Sequence, residues 1–79
     1  MPTPLYEVIY AVLREHIEDG GLPPGLVLGE AAVARAFQAS QVPAAAALQR
    51  LRRDGLLRDF EGRGFMIGPN DAEPIRLDL

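Results

Sequence analysis

Six of the eight arginines in this 79-residue chain, Arg35, Arg50, Arg52, Arg53, Arg58 and Arg63, fall between residues 28 and 68. Four carboxylates, Glu30, Asp54, Asp59 and Glu61, stand against them there, leaving that stretch at a net +2. The remainder sets two arginines against seven carboxylates, a net −5 within an overall charge of −3. Inside the basic stretch runs Ser40-Gln41-Val42-Pro43-Ala44-Ala45-Ala46-Ala47-Leu48-Gln49-Arg50-Leu51. A guanidinium binds phosphate, a glutamine carboxamide can bond N6 and N7 of adenine, and an alanine methyl can touch the methyl of thymine. Recognition of duplex DNA is the chemistry that these residue types offer together. The absence of lysine, with abundant Ala, Gly and Pro, reads as genome composition more than as phosphate chemistry.

Other chemistries find no constellation. His16 is the only histidine and there is no cysteine, so no common metal pattern can be assembled, and His16 reads as a packing or surface residue. Glu15, Glu18 and Asp19 cluster as a solvated helix face. No serine is flanked as a nucleophile and the glycines do not follow a phosphate-loop spacing. The expectation is a chain that is not an enzyme and takes no cofactor or metal. No apolar run approaches the roughly 20 residues that cross a bilayer, and the N-terminal Met1-Pro2-Thr3-Pro4 has no basic start or apolar block. Cytoplasmic location without membrane association follows as an expectation.

Periodicity supplies the elements that would position these groups. Leu5, Val8, Ile9, Val12, Leu13 and Ile17 recur at helical spacing, with Thr3 as cap, Pro4 at the first helical position and Gly20-Gly21 as terminator. Leu22-Pro23-Pro24-Gly25 is a stiff turn and Val27-Leu28 a very short strand. A second helix is predicted over Glu30 to Phe37, with Gly29 as cap and Ala32, Val33, Ala36 and Phe37 turned inward. Gln38-Ala39 links it to a third helix over Gln41 to Asp54, capped by the Ser40 side chain, with Pro43 in its first turn and Gly55 as C′ residue. Two helices joined by a three-to-four-residue turn are the helix-turn-helix signature. The third helix buries Ala44, Ala47, Leu48 and Leu51 and turns Val42, Ala45, Ala46, Gln49 and Arg53 outward. Leu56 to Phe60 and Phe65 to Ile67, joined across Glu61-Gly62-Arg63-Gly64, form a β-hairpin beside it. Leu13, Ile17, Leu28, Val33, Phe37, Leu48, Leu51 and Leu56 are expected to meet in one core. Residues 1–69 read as one domain and 70–79 as a linker or flexible tail.

This order of three helices and a two-stranded wing resembles the winged helix-turn-helix DNA-binding domain of the GntR family of bacterial transcription regulators. Ile17-Glu18-Asp19-Gly20-Gly21-Leu22-Pro23-Pro24-Gly25 is similar to the family's link after helix 1, and Leu28-Gly29-Glu30 with Val33-Ala34 to its start of helix 2. Ser40, Pro43, Ala47-Leu48, Leu51, Gly55-Leu56-Leu57 and Gly64 fall at its spacings, so the resemblance covers about residues 5 to 68. It implies a mainly α fold with a small β-hairpin, helix 41–54 in the major groove and wing 57–67 at the minor groove. Arg35 matches a family arginine that contacts phosphate, and Arg63-Gly64 match the wing tip. With the outward side of helix 3, the implied DNA-binding set is Arg35, Ser40, Gln41, Val42, Ala45, Gln49, Arg53, Arg63 and Gly64.

Four positions depart from the family pattern: Gln41 and Ala45 stand where arginines are usual, Ala44 where Val is typical, and Ala46 where Glu is frequent. An arginine bidentate to guanine discriminates by about 1–3 kcal/mol, so the exchange favours an A·T-rich site or readout of shape. The same departures leave open a second reading, a degenerate winged helix acting as a protein-interaction or dimerisation module. Expected partners are double-stranded DNA and a second copy of the chain as a homodimer. An effector ligand is expected only if a C-terminal domain follows, as family members usually have; Asp71 to Leu79 reads as the start of such a continuation.

Overall fold

The computed structural model describes residues 3–62 and 64–68. Its elements are α1 (Leu5–Glu18), β1 (Val27–Leu28), α2 (Glu30–Ala36), α3 (Gln41–Arg53), β2 (Leu57–Asp59) and β3 (Phe65–Ile67). The expected tail at 70–79 and wing-tip Arg63 lie outside the described residues.

Helix ends follow from local chemistry, in part as expected. At the end of α3, Gly55 takes φ +85°, its N–H reaches Arg52 O, and Leu56 N–H reaches Leu51 O, both at 3.0 Å. That is a Schellman closure, and it satisfies carbonyls the helix leaves open. Asp54 is therefore the cap residue and Arg53 the last helical one, one earlier than predicted. Helix α2 closes in the same way through Gln38, which adopts φ +53° while its N–H and that of Ala39 reach Arg35 O and Ala34 O. The turn of the helix-turn-helix thus uses a left-handed residue that is not glycine, a conformation costing about 1–2 kcal/mol.

The N-terminal expectations need two corrections. Pro4, with ψ 143°, is the cap of α1 rather than its first helical residue, and its carbonyl receives Glu7 N–H and Val8 N–H. Ser40 has the extended backbone of a cap but makes no side-chain capping bond. A capping side chain accepts from the second or third helical N–H, and here the third helical residue is Pro43, which has none.

Helix α3 is the spine of the domain, packed against α1, α2 and β2. Ile9, Leu48, Leu51, Met66 and Ile67 are fully buried, joined by Leu13, Val33, Ala34, Ala44, Ala47, Leu57 and Phe65. Ile17, Leu28, Phe37 and Leu56 pack on this core half-exposed. The inward face of α2 is set one residue away from expectation, because Ala34 is buried while Ala32 and Ala36 are exposed. Alanine fits either side of a seven-residue helix, so its pattern carries little phase information.

Strand β3 lies between β1 and β2 in an antiparallel three-stranded sheet. Val27 pairs with Met66 and Leu28 with Phe65 on one side; Leu57, Arg58 and Asp59 pair with Ile67, Met66 and Phe65 on the other. The hairpin therefore gains a third strand from the segment before α2, and central β3 is buried at all three residues. Gly64 sets the approach of the two chain segments: it has φ +129°, and a Cβ there would lie 2.4 Å from Leu28 O. Gly64→Ala should destabilise the domain by about 1–3 kcal/mol from backbone conformation alone, read in urea titration; an unchanged midpoint would show that wing and β1 separate freely.

A polar brace ties α1 to the end of α3. Tyr10 O–H donates to the Asp54 carboxylate and accepts from Arg14 Nη1 at 2.8 Å, while the Arg50 guanidinium sits 4.2 Å from the Tyr10 ring centre. The cation over the ring face and the satisfied phenol fix the crossing of the two helices. Glu18, 2.6 Å from Arg14 Nε, and then Tyr10 hold the Arg14 guanidinium above its ordinary pKa.

Candidate nucleic-acid interface

The side of α3 away from the core is presented outward as periodicity requires. Gln41, Val42, Ala46, Gln49 and Arg53 are exposed, Val42 at 78%, and Ala45 is half-buried. The buried set Ala44, Ala47, Leu48 and Leu51 fixes the roll of the helix, so these outward positions are fixed with it. Ser40, free of a capping bond, is exposed at the start of the helix.

The arginines divide by what they already touch. Arg14 is paired with Glu18, Arg50 covers Tyr10, and Arg52 Nη1 lies 2.9 Å from Asp59 Oδ2. Arg58, cross-strand from Met66, donates Nη2–H to its sulfur at 3.8 Å. Arg35 on α2 and Arg53 at the end of α3 are exposed and carry no ion pair among the described residues. Those two present their charge to solvent. Arg50 belongs instead to the α1–α3 brace.

Between α2, α3 and the wing lies an open groove of about 490 Å³, lined by Glu30, Gln49, Asp59, Glu61, Gly62, Gly64 and Phe65. Three carboxylates on its walls make it unfavourable ground for phosphate. The convergence of these acids on one groove was not visible in the sequence pattern, and the contacts of Gln49 were visible only in part: Gln49 Oε1 accepts from Arg52 Nε at 3.2 Å, and Arg52 in turn reaches Asp59 on β2. Spacing gives the first of these, three residues apart on one helix, but the second depends on where the strand returns. Gly64 borders the groove; Arg63, its neighbour in the expected wing tip, is outside the described residues. No group of three or more His, Cys, Asp or Glu suited to a metal ion occurs among the described residues.

Three helices with a short turn between the second and third, and a three-stranded wing beside the third, define a winged helix-turn-helix domain. Residues 5–67 match the model of the family described as bacterial regulatory proteins, gntR family. The chain belongs to the GntR family of bacterial regulatory proteins. It is 36% identical over 74 residues to YdhC of Bacillus subtilis (strain 168), described as an uncharacterized HTH-type transcriptional regulator, covering 94% of this chain and 33% of that protein. A second uncharacterized HTH-type transcriptional regulator, from Agrobacterium vitis, is 35% identical over 84% of this chain and 40% of its own length. Among solved structures, a GntR-family transcriptional regulator from Pseudomonas syringae pv. tomato superposes with a TM-score of 0.77 at 34% identity, covering 85% of this chain and 30% of that one. The N-terminal domain of AraR, in complex with ORR3, shares the fold at a TM-score of 0.77 and 22% identity, covering 86% of this chain and 99% of that one. The chain spans between about a third and two fifths of the length of the curated relatives it matches.

Proposed function

We propose that this domain binds duplex DNA as the reading head of a transcription regulator, with α3 in the major groove and the wing at the adjacent minor groove. The observation that carries this is the outward row of α3, Gln41, Val42, Ala46, Gln49 and Arg53, exposed on a helix whose opposite face is locked into the core. Arg35 and Arg53 supply phosphate contacts, and Ser40 adds a hydroxyl at the helix start. Gln41 reads adenine, Val42, Ala45 and Ala46 offer apolar contact to thymine methyls, and the wing turn that holds Gly64 approaches the minor groove, a role the family resemblance implies for Arg63 as well. An A·T-rich half-site is the expected target. The domain acts as a homodimer on two half-sites, in the cytoplasm, and takes an effector ligand only if a C-terminal domain follows; family membership supports these statements.

Phosphate contacts position a protein without reading sequence. Arg35→Ala should therefore weaken binding to selected and unrelated duplexes alike and flatten the log–log salt dependence by about one. Fluorescence anisotropy across a salt series measures both quantities. Unchanged affinity and slope would mean that Arg35 does not face DNA.

A further inference from the structure

We infer that Arg52 and Asp59 act as positioning residues for Gln49, fixing its carboxamide so that it presents N–H donors rather than its oxygen to a base edge. The inference rests on the DNA-binding reading and adds a specificity rule to it. Gln49 Oε1 accepts from Arg52 Nε at 3.2 Å, and Arg52 Nη1 donates to Asp59 Oδ2 at 2.9 Å. A guanidinium has donors only, so it can hold the amide by its oxygen and never by its nitrogen. Turning the amide over would set donor against donor. The end of Gln49 left for another molecule is therefore its NH2.

Arg52 is itself held at two points of its planar fork, by Gln49 on the same helix and by Asp59 at the end of β2. The wing thus sets the hydrogen-bonding polarity of a side chain on the recognition helix. Glu30 and Glu61 line the same groove as Gln49 and disfavour phosphate there, which leaves a base edge as the acceptor for that NH2. In the major groove, guanine N7 and O6, thymine O4 and adenine N7 are acceptors, whereas cytosine offers only the N4 donor. Gln49 accordingly rejects C, and accepts the bases that present an acceptor, on the strand it contacts.

Two measurements on the 79-residue chain test this. In the protein without DNA, side-chain 15N relaxation of the Gln49 amide should give an order parameter above the flexible range of about 0.6 and below, falling into that range in Asp59→Asn. In random-sequence selection, the parent should select against C at one position. Asp59→Asn should lower that preference at least about fivefold while generic affinity rises, since a carboxylate has been removed. Glu61→Gln, which removes a charge from the same groove but not from the relay, should raise generic affinity and keep the preference. Gln49→Glu, an acceptor only, should shift the position toward C or A.

A mobile Gln49 amide in the parent, or an Asp59→Asn selection identical to that of the parent, would overturn the inference while leaving DNA binding intact. A parent that selects no site at low ionic strength would overturn the DNA-binding reading itself and, with it, the specificity rule for Gln49.

Discussion

Leu51→Ala should lower the unfolding free energy by about 2–5 kcal/mol, from lost transfer energy and the cavity left behind. Leu51 is fully buried on the spine helix, and its carbonyl also receives the Leu56 N–H that closes α3 before β2. A domain of this size buries only about 60–65% of its unfolded surface, so a loss of that magnitude removes much of its stability. Urea titration followed by circular dichroism gives the number. A change under about 1 kcal/mol would place Leu51 outside the core, in conflict with the packing of α3 against α1, α2 and β2.

Gln41→Arg combined with Ala45→Arg should raise affinity for generic duplex DNA at low salt by at least about tenfold. Gln41 is exposed in the first turn of α3 and Ala45 half-buried one turn on, so two guanidinium groups can extend outward while Ala44, Ala47 and Leu48 stay in place beneath them. Anisotropy titration of parent and variant against one unrelated duplex reads the change. If the parent binds its own selected site at sub-micromolar affinity, the variant should bind more DNA and discriminate less. Equal affinity of the two proteins for the generic duplex would show that the start of α3 does not approach DNA. A parent without DNA affinity whose double variant binds would favour the protein-interaction reading for the natural chain.

Much of the fold was legible because its punctuation is chemical. Gly20 and Gly55 end helices through positive φ, and the apolar spacing in α1 and α3 picks out Ile9, Leu13, Ala44, Ala47, Leu48 and Leu51. The third strand of the wing was not legible as such. Val27-Leu28 reads as a short strand, but its partner, Phe65-Met66, lies far along the chain, and no local pattern names a nonlocal partner. Gln38 in the left-handed region and the shifted face of α2 were missed for a related reason: glutamine does not advertise that conformation, and four alanines in seven residues suit several orientations. Tyr10 was invisible as a brace because its partners Asp54 and Arg50 lie on and just past another helix.

At the candidate interface the outward side of α3 followed from helical period alone, and the structure agrees on which of its residues are exposed, with Ala45 only half so. What the sequence could not rank was the arginines. Charge counting treats Arg35, Arg50, Arg52 and Arg53 alike, yet geometry assigns Arg50 to Tyr10 and Arg52 to Asp59 and leaves Arg35 and Arg53 for another partner. The net +2 of residues 28–68 already sets Asp59 against Arg52, and the overall charge of −3 adds repulsion from the rest of the chain.

The central claim, that α3 reads duplex DNA, is tested most directly by random-sequence selection with the parent chain, followed by titration of the enriched duplex across a salt series. The expected result is enrichment of an A·T-rich half-site, repeated with two-fold symmetry if two copies bind, and a log affinity that falls linearly with log salt. Failure to enrich any sequence, with no binding of any duplex at low ionic strength, would contradict it.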